Sequence, residues 1–470
     1  MQVRMLESVV AECKQLPLKD AVIKWQHRLE RRHPIIGMIG TRRLQPFSFP
    51  SLGTAPWVNI TSSTCPHGSN SVGSGEATLD LQTLVVDMET YVEQLLPHYI
   101  EELRELCSID TYSYHKSGLD KMARLLATRM RDLGLEVSII ERQQWGNDLY
   151  GIIHGQGGGN VLLLAHMDTV YPVGTASAHP VWMGHDTLYG PGVSDMKGGI
   201  LNGMYALEAL FAQGYRSFGE IRFLCVSDEE ISVRHCQDIM RKACRGSHAA
   251  LVLEAARANG ALVSARKGSA VYTLTARGRA AHAGVEPEKG RNVLLELAHQ
   301  LLQFESLNGW REGLTINPGV MRGGSLPNVV PDYAHIQFDV RYLHTQDRIA
   351  LEERWRKMMH SQRVQGVELS LEVSIDHKEP MVLTPEALKL VQQAQEIAAL
   401  LGFSVEHVRT GGGSDGSFAA QYGVPVLDGL GPVGGLDHSP DEYLMANSVA
   451  PRTALLAGLI ATIGAGTPFP

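Results

Sequence analysis

Hydrophobic and polar positions follow two different patterns along the chain. From about residue 81 to residue 263, short and nearly all-apolar runs such as "NVLLLA" (160–165) and "IRFLCVS" (221–227) alternate with longer segments of helical period. Apolar runs of this length are typical of strands that helices cover on both faces of a sheet. We therefore predict an α/β domain with a mixed, mostly parallel sheet, and the same pattern returns over residues 380–470.

A different order of elements separates these two segments. Over residues 264–379 the pattern predicts a strand, a helix, two strands, a helix and a final strand. This β-α-β-β-α-β order is that of a ferredoxin-like α+β domain. Because the first pattern resumes afterwards, we interpret this segment as a domain inserted into the α/β domain.

Two further segments lack either pattern. Residues 1–80 include a long stretch rich in Ser, Thr, Gly and Pro, which predicts a flexible, poorly ordered N-terminal extension. The glycine-rich "HGQGGGN" (154–160) lacks the glycine spacing of a dinucleotide-binding loop. We expect it to turn a hairpin between the strands on either side.

Composition argues against several functional classes. The 470-residue chain has 42 Lys plus Arg against 50 Asp plus Glu, a net charge of −8, which does not suit a nucleic-acid-binding surface. No apolar run approaches the roughly 20 residues that a membrane helix needs. The six cysteines form no CxxC pair and the N-terminus lacks the apolar core of a signal peptide. We therefore expect reduced thiols and a cytoplasmic location.

Acids and histidines gather where the predicted strands end. His166 and Asp168 follow the strand "NVLLLA", and Glu229 and Glu230 follow "IRFLCVS". In open α/β sheets, ligands bind outside the carboxyl ends of the strands, so these side chains are expected to share one cleft. The further candidates for this cleft are Asp195, Glu254 and His438.

This set of side chains suits two divalent metal ions. Zinc binds imidazole nitrogen and carboxylate oxygen, and two metals roughly 3.5 to 4 Å apart need a carboxylate that bridges them. Glu229 is left over, which suits a general base. Each signal also has an ordinary alternative, since a lone His or Asp after a strand is usually a cap and a run of acids is usually a solvated turn. The candidate metal ligands are His166, Asp195, Glu230, Glu254 and His438.

Seven motifs resemble those of a known family, the M20 metallopeptidases, and most closely its glutamate carboxypeptidase (carboxypeptidase G2-like) branch. The similarity runs from about residue 85 to residue 465. In chain order the motifs are "HMDTVYPVG", "LYGPGVSDMKGG", "SDEE", "LVLEAAR", "GRAAHAG", "RTGGGSDGSF" and "LGPVGGLDHSPDEY".

The resemblance implies a di-zinc site in which Asp195 bridges the two metals. By this carry-over, one metal binds His166 and Glu254, and the other binds Glu230 and His438. The expected cofactor is two zinc ions per subunit, with cobalt or manganese as alternatives.

The same resemblance assigns roles to neighbouring residues. Asp168 is expected to orient His166, and Glu229 is expected to act as the general base. The peptide bond between Asp195 and Met196 is expected to be cis.

Residues outside the acid cluster are candidates for binding substrate. Alternation in "HIQFDVRY" places Arg341 on the polar face, where its guanidinium matches a carboxylate; the ordinary alternative is a surface ion pair. The glycine run ending at Gly413 offers backbone N–H groups to a carboxylate, although a plain flexible turn explains it equally well. By resemblance, His282 reaches the partner subunit's active site and Asn328 binds substrate; without the resemblance, both would be ordinary turn residues.

We therefore expect a di-zinc metallopeptidase that hydrolyses the amide bond next to a C-terminal amino acid, with glutamate the first candidate by resemblance alone. The alternative within the family is N-acyl-amino-acid deacylation or desuccinylation, and the alternative outside it is a non-catalytic binding module. The expected partners are a small peptide or N-acyl amino acid and, because the resemblance implies that His282 acts across subunits, a second copy in a homodimer. Neither nucleic acid nor membrane is expected as a partner.

Overall fold

The computed structural model describes residues 80–231, 235–373 and 377–466. The predicted N-terminal extension, residues 1–80, lies outside these ranges except for its last residue, and it stays a prediction. Within the described ranges, no helix is long and apolar enough to cross a membrane.

Helices and strands alternate through most of the described chain. The α-helices are α1 (Leu81–Cys107), α2 (Lys116–Asp132), α3 (Thr175–Ala178), α4 (Gly198–Ala212), α5 (Gln237–Cys244), α6 (Val293–Glu305), α7 (Thr345–Met358), α8 (Pro385–Leu400), α9 (Gly416–Gln421) and α10 (Val449–Gly464). The β-strands are β1 (Glu136–Ile140), β2 (Asp148–His154), β3 (Asn160–His166), β4 (Trp182–Gly184), β5 (Thr187–Tyr189), β6 (Glu220–Val226), β7 (Ala249–Val252), β8 (Leu262–Arg266), β9 (Gly268–Arg277), β10 (Ala281–His282), β11 (Thr315–Gly323), β12 (Val329–Val330), β13 (Tyr333–Tyr342), β14 (Glu368–Val373), β15 (His407–Thr410), β16 (Val426–Leu427), β17 (Gly434–Gly435) and β18 (Tyr443–Met445).

A central sheet has the strand order β1-β2-β6-β3-β7-β16. Strands β6, β3, β7 and β16 run parallel, whereas β1 and β2 are antiparallel to their neighbours. Helices cover both faces. Leu163 of β3 packs in a core with α1, α4 and α10, and the adjacent Leu162 and Leu164 pack in a core with α5 and α9. The predicted mixed, mostly parallel sheet with helices on both faces is confirmed.

The glycine-rich segment between β2 and β3 does not turn a hairpin, so that prediction is wrong. Strand β6 lies between β2 and β3, and both His154 and Asn160 are register partners of Glu220. The segment therefore crosses the beginning of β6. Its glycines allow close approach to α10, because a Cβ on Gly159 would lie 1.8 Å from the carbonyl oxygen of Ile463.

A second, antiparallel sheet has the order β11-β13-β9-β14. Helices α6 and α7 share a core with the two middle strands, and there the rings of Phe304 and Trp355 stack with centroids 4.5 Å apart. Apart from the short strands β10 and β12, the elements follow the expected β-α-β-β-α-β order. The division at residues 264 and 379 and the role of this part in dimerisation stay predictions.

The parallel strands of the central sheet end at one edge. Strand β3 ends at His166, β6 ends at Val226 just before the acidic turn, and β7 ends at Val252 just before Glu254. The loop that carries His438 joins β17 to β18. The fold therefore places the candidate functional side chains at the edge of the sheet that the strand pattern predicts.

Candidate active site

Asp195 lies between two histidines. Its Oδ1 is 3.0 Å from Nε2 of His166, and its Oδ2 is 3.1 Å from Nε2 of His438. The two oxygens of one carboxylate thus face different imidazoles. A carboxylate that bridges two metals needs this arrangement.

A further carboxylate accompanies each histidine. Oε1 of Glu254 is 3.7 Å from Nε2 of His166, and Oε2 of Glu230 is 3.2 Å from Nε2 of His438. The structure therefore brings together all five ligand candidates from the sequence. They divide into two groups that share Asp195.

The donor atoms fit divalent metal ions. Ligand atoms of His166, Asp195 and Glu230 all lie within 4.8 Å of one another. Oε1 of Glu230 is buried and has no hydrogen-bond partner within the described residues. A buried carboxylate oxygen without a partner costs free energy, and a cation would supply the missing partner. The residues present thus fit the metal ions that the motifs imply.

Crowding shifts the protonation equilibria of these groups. Burial raises the pKa of Glu254 well above its usual value, and the nearby Asp195 adds to the effect. Hydrogen bonds to Asp195 and Glu230 raise the pKa of His438 to about 11. Burial opposes ionisation of Asp195, but hydrogen bonds from His166 and His438 hold its pKa below the usual value. Glu254 and His438 thus hold their protons tightly, and metal ions compete with protons for such ligands.

Asp195 sits in an irregular turn ahead of α4. Within the turn Val193–Lys197 its backbone is non-helical, with φ −114° and ψ 93°. The peptide bond between Asp195 and Met196 is cis, as the resemblance implies. The buried Nζ of Lys197 donates a hydrogen bond to the carbonyl oxygen of Ile109 at 2.9 Å, which ties the turn to the segment after α1.

Asp168 contacts both halves of the cluster. Its backbone oxygen is 3.0 Å from Nδ1 of His166, nearer than its carboxylate at 3.4 Å. The carboxylate accepts hydrogen bonds from the backbone N–H groups of Glu229 and Glu230, each at 3.2 Å, and from Oγ of Ser113 at 2.7 Å. The main chain of Asp168 therefore faces His166, while its side chain holds the acidic turn.

Glu229 lies beside the candidate metal ligands and makes an ion pair. Nζ of Lys378 is 2.5 Å from Oε1 of Glu229 and 3.4 Å from its carbonyl oxygen. Both side chains are largely buried but line a pocket of about 370 Å³ together with Asp195 and His438. Lys378 could not be predicted from the sequence, because it follows a strand of the other sheet and is 149 residues away from Glu229.

Arg341 and the glycine loop form another part of the same pocket. Arg341 lines it together with Ser269, Gly412 and Gly413. Arg341 also lies 3.0 Å from Oδ1 of Asp339, so it has the ion pair that the ordinary interpretation expects as well as a position in the pocket.

Arg266 anchors the glycine loop through hydrogen bonds to its backbone. It was not among the site residues predicted from the sequence. Its Nε donates to Oδ2 of Asp428 at 2.6 Å, and its Nη1 donates to the carbonyl oxygens of Gly412 and Gly413 at 3.3 and 3.1 Å. Because a trans peptide unit points its C=O and N–H in opposite directions, the N–H groups of Gly413 and Ser414 point away from Arg266. The sequence signal that could have indicated Arg266 is its position as a charged residue at the end of the apolar strand "LVSAR".

His282 and Asn328 lie elsewhere on the surface. They are on the paired strand β10 and just before β12, where the N–H of Ala283 donates to the carbonyl oxygen of Asn328 at 2.9 Å. Both side chains are exposed, and neither lines the pocket of its own chain. The other substrate candidates, Arg341 and Gly413, do line it.

Comparison with known families decides the assignment. The model of peptidase family M20/M25/M40 matches residues 162–462. The chain belongs to this family. The match spans all five candidate ligands and confirms the resemblance drawn from the motifs.

Two curated relatives match this M20 peptidase over most of its length. Carboxypeptidase G2 of Pseudomonas sp. (strain RS-16) is 32% identical over 383 residues, covering 79% of this chain and 90% of the relative. Succinyl-diaminopimelate desuccinylase of Alkalilimnicola ehrlichii is 28% identical over 358 residues, covering 72% and 92%. The chain is a hydrolytic metalloenzyme, and its relatives differ in the substrates they are named for.

Solved structures share the fold. Aminopeptidase PepT of Bacillus cereus ATCC 10987 superposes with a TM-score of 0.68 at 21% identity, covering 78% of this chain and 98% of that one. The YXEP protein of Bacillus subtilis, described as a dinuclear metal-binding peptidase of the M20 family, superposes with a TM-score of 0.59 at 15% identity, covering 79% and 98%. At these identities the likeness concerns the fold alone.

Proposed function

We propose that this M20 peptidase is a di-zinc carboxypeptidase that hydrolyses the amide bond next to a C-terminal amino acid, with glutamate as the first candidate. The observation that carries the proposal is the placement of Asp195, which faces His166 and His438 with its two oxygens. Glu229 and Arg341 line the same pocket. The similarity to a relative named carboxypeptidase G2 supports this choice.

The five clustered side chains are the proposed metal ligands. In this proposal His166 and Glu254 would hold one zinc ion and Glu230 and His438 would hold the other, with Asp195 shared by the two groups of ligands. Bound at this site, the two cations supply Lewis-acid activation of a water molecule and of the amide carbonyl.

Glu229 moves the proton in this mechanism. Its carboxylate takes a proton from the attacking water and delivers it to the nitrogen of the leaving amine. Because Oε1 is engaged by Lys378, Oε2 is the atom that we assign to proton transfer. Asp168 fixes the main chain of Glu229 and so keeps this carboxylate aimed at the pocket.

Arg341 and the glycine loop bind the carboxylate of the C-terminal residue. A guanidinium presents two parallel N–H donors to a carboxylate, and the N–H groups of Gly413 and Ser414 face away from the loop's anchor, Arg266. Arg341, Gly413 and Glu229 line one pocket. A carboxylate bound there places the last amide bond at the acid cluster, which makes the enzyme an exopeptidase.

His282 and Asn328 act from a partner subunit in this proposal. Both are exposed and remote from the pocket of their own chain. In a homodimer, His282 would stabilise the negative charge that develops on the carbonyl oxygen.

The buried thiols support a cytoplasmic location. The described cysteines, Cys107, Cys225, Cys236 and Cys244, are all buried and free of disulfides. Reduced cysteines are typical of proteins in a reducing compartment.

Desuccinylation of an N-acyl amino acid is the second candidate. It uses the same ligands and the same base, and it is favoured by a desuccinylase relative that matches 72% of the chain. The two candidates differ in the acyl group and in the amino acid that is released.

The test is release of free amino acid from a panel of N-acyl and peptidyl amino acids. We expect release from C-terminal glutamate substrates, loss of activity after dialysis against a chelator, and recovery on adding zinc. Release of diaminopimelate from its succinyl derivative without activity on the glutamate substrates would favour the second candidate. No release from any substrate by metal-loaded enzyme would contradict both.

A further inference from the structure

Arg341, Ser269 and Lys378 form a row across three neighbouring strand segments. In the antiparallel register Arg341 of β13 lies opposite Ser269 of β9. On its other side, Ser269 exchanges two backbone N–H to O hydrogen bonds with Lys378, at 2.8 and 2.9 Å. All three residues line the candidate active-site pocket. With neighbouring strands about 4.8 Å apart, the two cations stand roughly 10 Å apart at their Cα atoms, with a short hydroxyl side chain between them.

The structure fixes Lys378 along its whole length. Besides the two bonds with Ser269, its carbonyl oxygen accepts a hydrogen bond from the hydroxyl of Tyr342 at 3.1 Å. Its stem passes under the glycine loop, where a Cβ on Gly413 would lie 3.0 Å from Cδ of Lys378. The side chain is 8% exposed and ends at Glu229. A buried cation is thus held beside the proposed base, on the same wall as Arg341.

The hydrogen-bonding capacity of this ammonium group exceeds its contacts. An ammonium has three donors, and within the described residues its contacts are the carboxylate of Glu229 and, at 3.4 Å, the backbone oxygen of the same residue. Arg266 uses its Nε and Nη1 for Asp428 and the loop carbonyls, whereas its buried Nη2 has no hydrogen-bond partner within the described residues. Of the cations that line the pocket, Arg341 and Lys378 are the two that flank Ser269.

We infer that Lys378 is a specificity-determining residue that selects substrates whose released amino acid carries a second carboxylate in its side chain. This inference rests on the proposed carboxypeptidase function. Arg341 and the glycine loop take the α-carboxylate, which every C-terminal residue has, and the fork geometry of a guanidinium suits that fixed group. Lys378 takes the side-chain carboxylate, for which a compact ammonium charge with three donors is suited.

Charge explains why an acidic side chain needs Lys378. A substrate carboxylate placed beside Glu229 would be repelled by it, because like charges at short range destabilise each other. The ammonium of Lys378, placed between the substrate carboxylate and the carboxylate of Glu229, attracts both and so offsets their repulsion. A neutral amide side chain can accept a hydrogen bond from the ammonium at this position but lacks the attraction between opposite charges.

The test compares two substrates of equal size, an N-acyl glutamate and the N-acyl glutamine with the same acyl group. We expect the wild-type enzyme to prefer glutamate by about 30-fold or more in kcat/KM, and Lys378→Met to reduce this preference to about threefold or less, through a higher KM for the glutamate substrate. Lys378→Arg should keep a preference of at least about tenfold. Arg341→Met should weaken both substrates by similar factors and leave their ratio unchanged.

The ratio separates selectivity from a general effect on Glu229. Loss of the ion pair lowers kcat for both substrates alike, so it cancels in the ratio. If Lys378→Met unfolds, inhibition of the wild-type enzyme by free glutamate and free glutamine replaces it, and we expect glutamate to bind at least about tenfold more tightly. A glutamate preference that survives in Lys378→Met, or wild-type enzyme that treats both compounds alike, would overturn the inference alone. A wild-type enzyme that releases no amino acid from any substrate would overturn the proposed function, and the inference with it.

Discussion

Glu442 and Asp195 are joined through the main chain of the Asp195 turn. Oε1 of Glu442 accepts hydrogen bonds from the backbone N–H groups of Ser194 at 2.8 Å and Asp195 at 3.0 Å. Oε2 accepts from the N–H of Gly192 at 2.9 Å and from the hydroxyl of Tyr171 at 2.6 Å. Glu442 is fully buried and belongs to the segment just after His438. One carboxylate therefore ties together the two chain segments that carry Asp195 and His438.

Replacing Glu442 by glutamine should weaken metal binding. The amide keeps the size of the side chain, but its NH2 group confronts backbone N–H donors that the carboxylate had accepted. We expect the Kd for metal to rise by about 10- to 100-fold, as for other residues that orient metal ligands. Competition against a chromophoric chelator measures this change.

Tyr171→Phe is the matched control for Glu442→Gln. It removes one hydroxyl donor to the same carboxylate and leaves the three backbone donors in place, so we expect a change in Kd of about threefold or less. Equal metal affinity in Glu442→Gln and the wild type would show that the Asp195 turn holds its shape without this contact.

Glu229→Gln should abolish most of the activity while leaving the metals bound. Glutamine fills the same space but cannot accept the proton from water, and loss of a general base typically costs about 10²- to 10⁴-fold in kcat. The measurement pairs kcat with elemental analysis of bound metal. A variant that retains full kcat would remove Glu229 from the mechanism, whereas a variant depleted of metal would point to a ligand role instead.

Several of the site residues that the sequence predicts follow apolar runs whose ends are visible locally, whereas Asp195 lies in the turn ahead of α4 and His438 lies in the β17–β18 loop. His166 ends β3 and Glu254 follows β7, and both strands are buried on both faces. Lys378 has no such signal, because its proximity to Glu229 depends on how the second sheet docks. The same non-locality explains the wrong hairpin, since the insertion of β6 between β2 and β3 depends on pairing with a distant strand. Asp168 shows a finer limit, because the sequence suggests that it contacts His166 but not that its backbone oxygen is the nearer atom.

Asp148 should make stability fall as pH rises from about 4 to about 6. Burial raises the pKa of Asp148 from 3.8 to about 6, with Asp228 adding to the shift, even though Arg142 donates to it at 2.8 Å. The folded protein therefore holds this proton more tightly than the unfolded chain. The contribution is fully present below about pH 4 and is lost as pH rises through about 6.

Asp148→Asn removes this titration and isolates its effect. The difference in unfolding free energy, variant minus wild type, should increase by up to about 3 kcal/mol between pH 4 and pH 6 and then level off. Urea denaturation of both proteins, with chelator present throughout, measures it. A difference that stays constant over this range would mean that Asp148 titrates alike in the folded and unfolded states.

An exposed apolar face on α6 should mediate dimerisation. Leu295 and Leu302 are 59% and 71% exposed, and their spacing of seven places them on one side of the helix. Met321, 44% exposed, lies on β11, the edge strand of the sheet that packs against α6. Exposed apolar patches of this kind mark interaction surfaces. We expect wild-type protein to sediment as a dimer and the double variant Leu295→Glu, Leu302→Glu to sediment as a monomer, with Leu388→Glu on α8 as the exposed control.

Mixing two inactive variants tests whether His282 serves the partner subunit's site. His282→Ala and Glu229→Gln homodimers should each have little activity. If His282 acts across the interface, a hybrid dimer has one complete site, because the subunit with intact Glu229 receives its histidine from the other. Random exchange then makes half of the dimers hybrids and restores about a quarter of the wild-type activity. If His282 acts within its own chain, every site in the hybrid lacks one group and mixing restores nothing. Full activity of a wild-type monomer in sedimentation experiments would exclude the arrangement altogether.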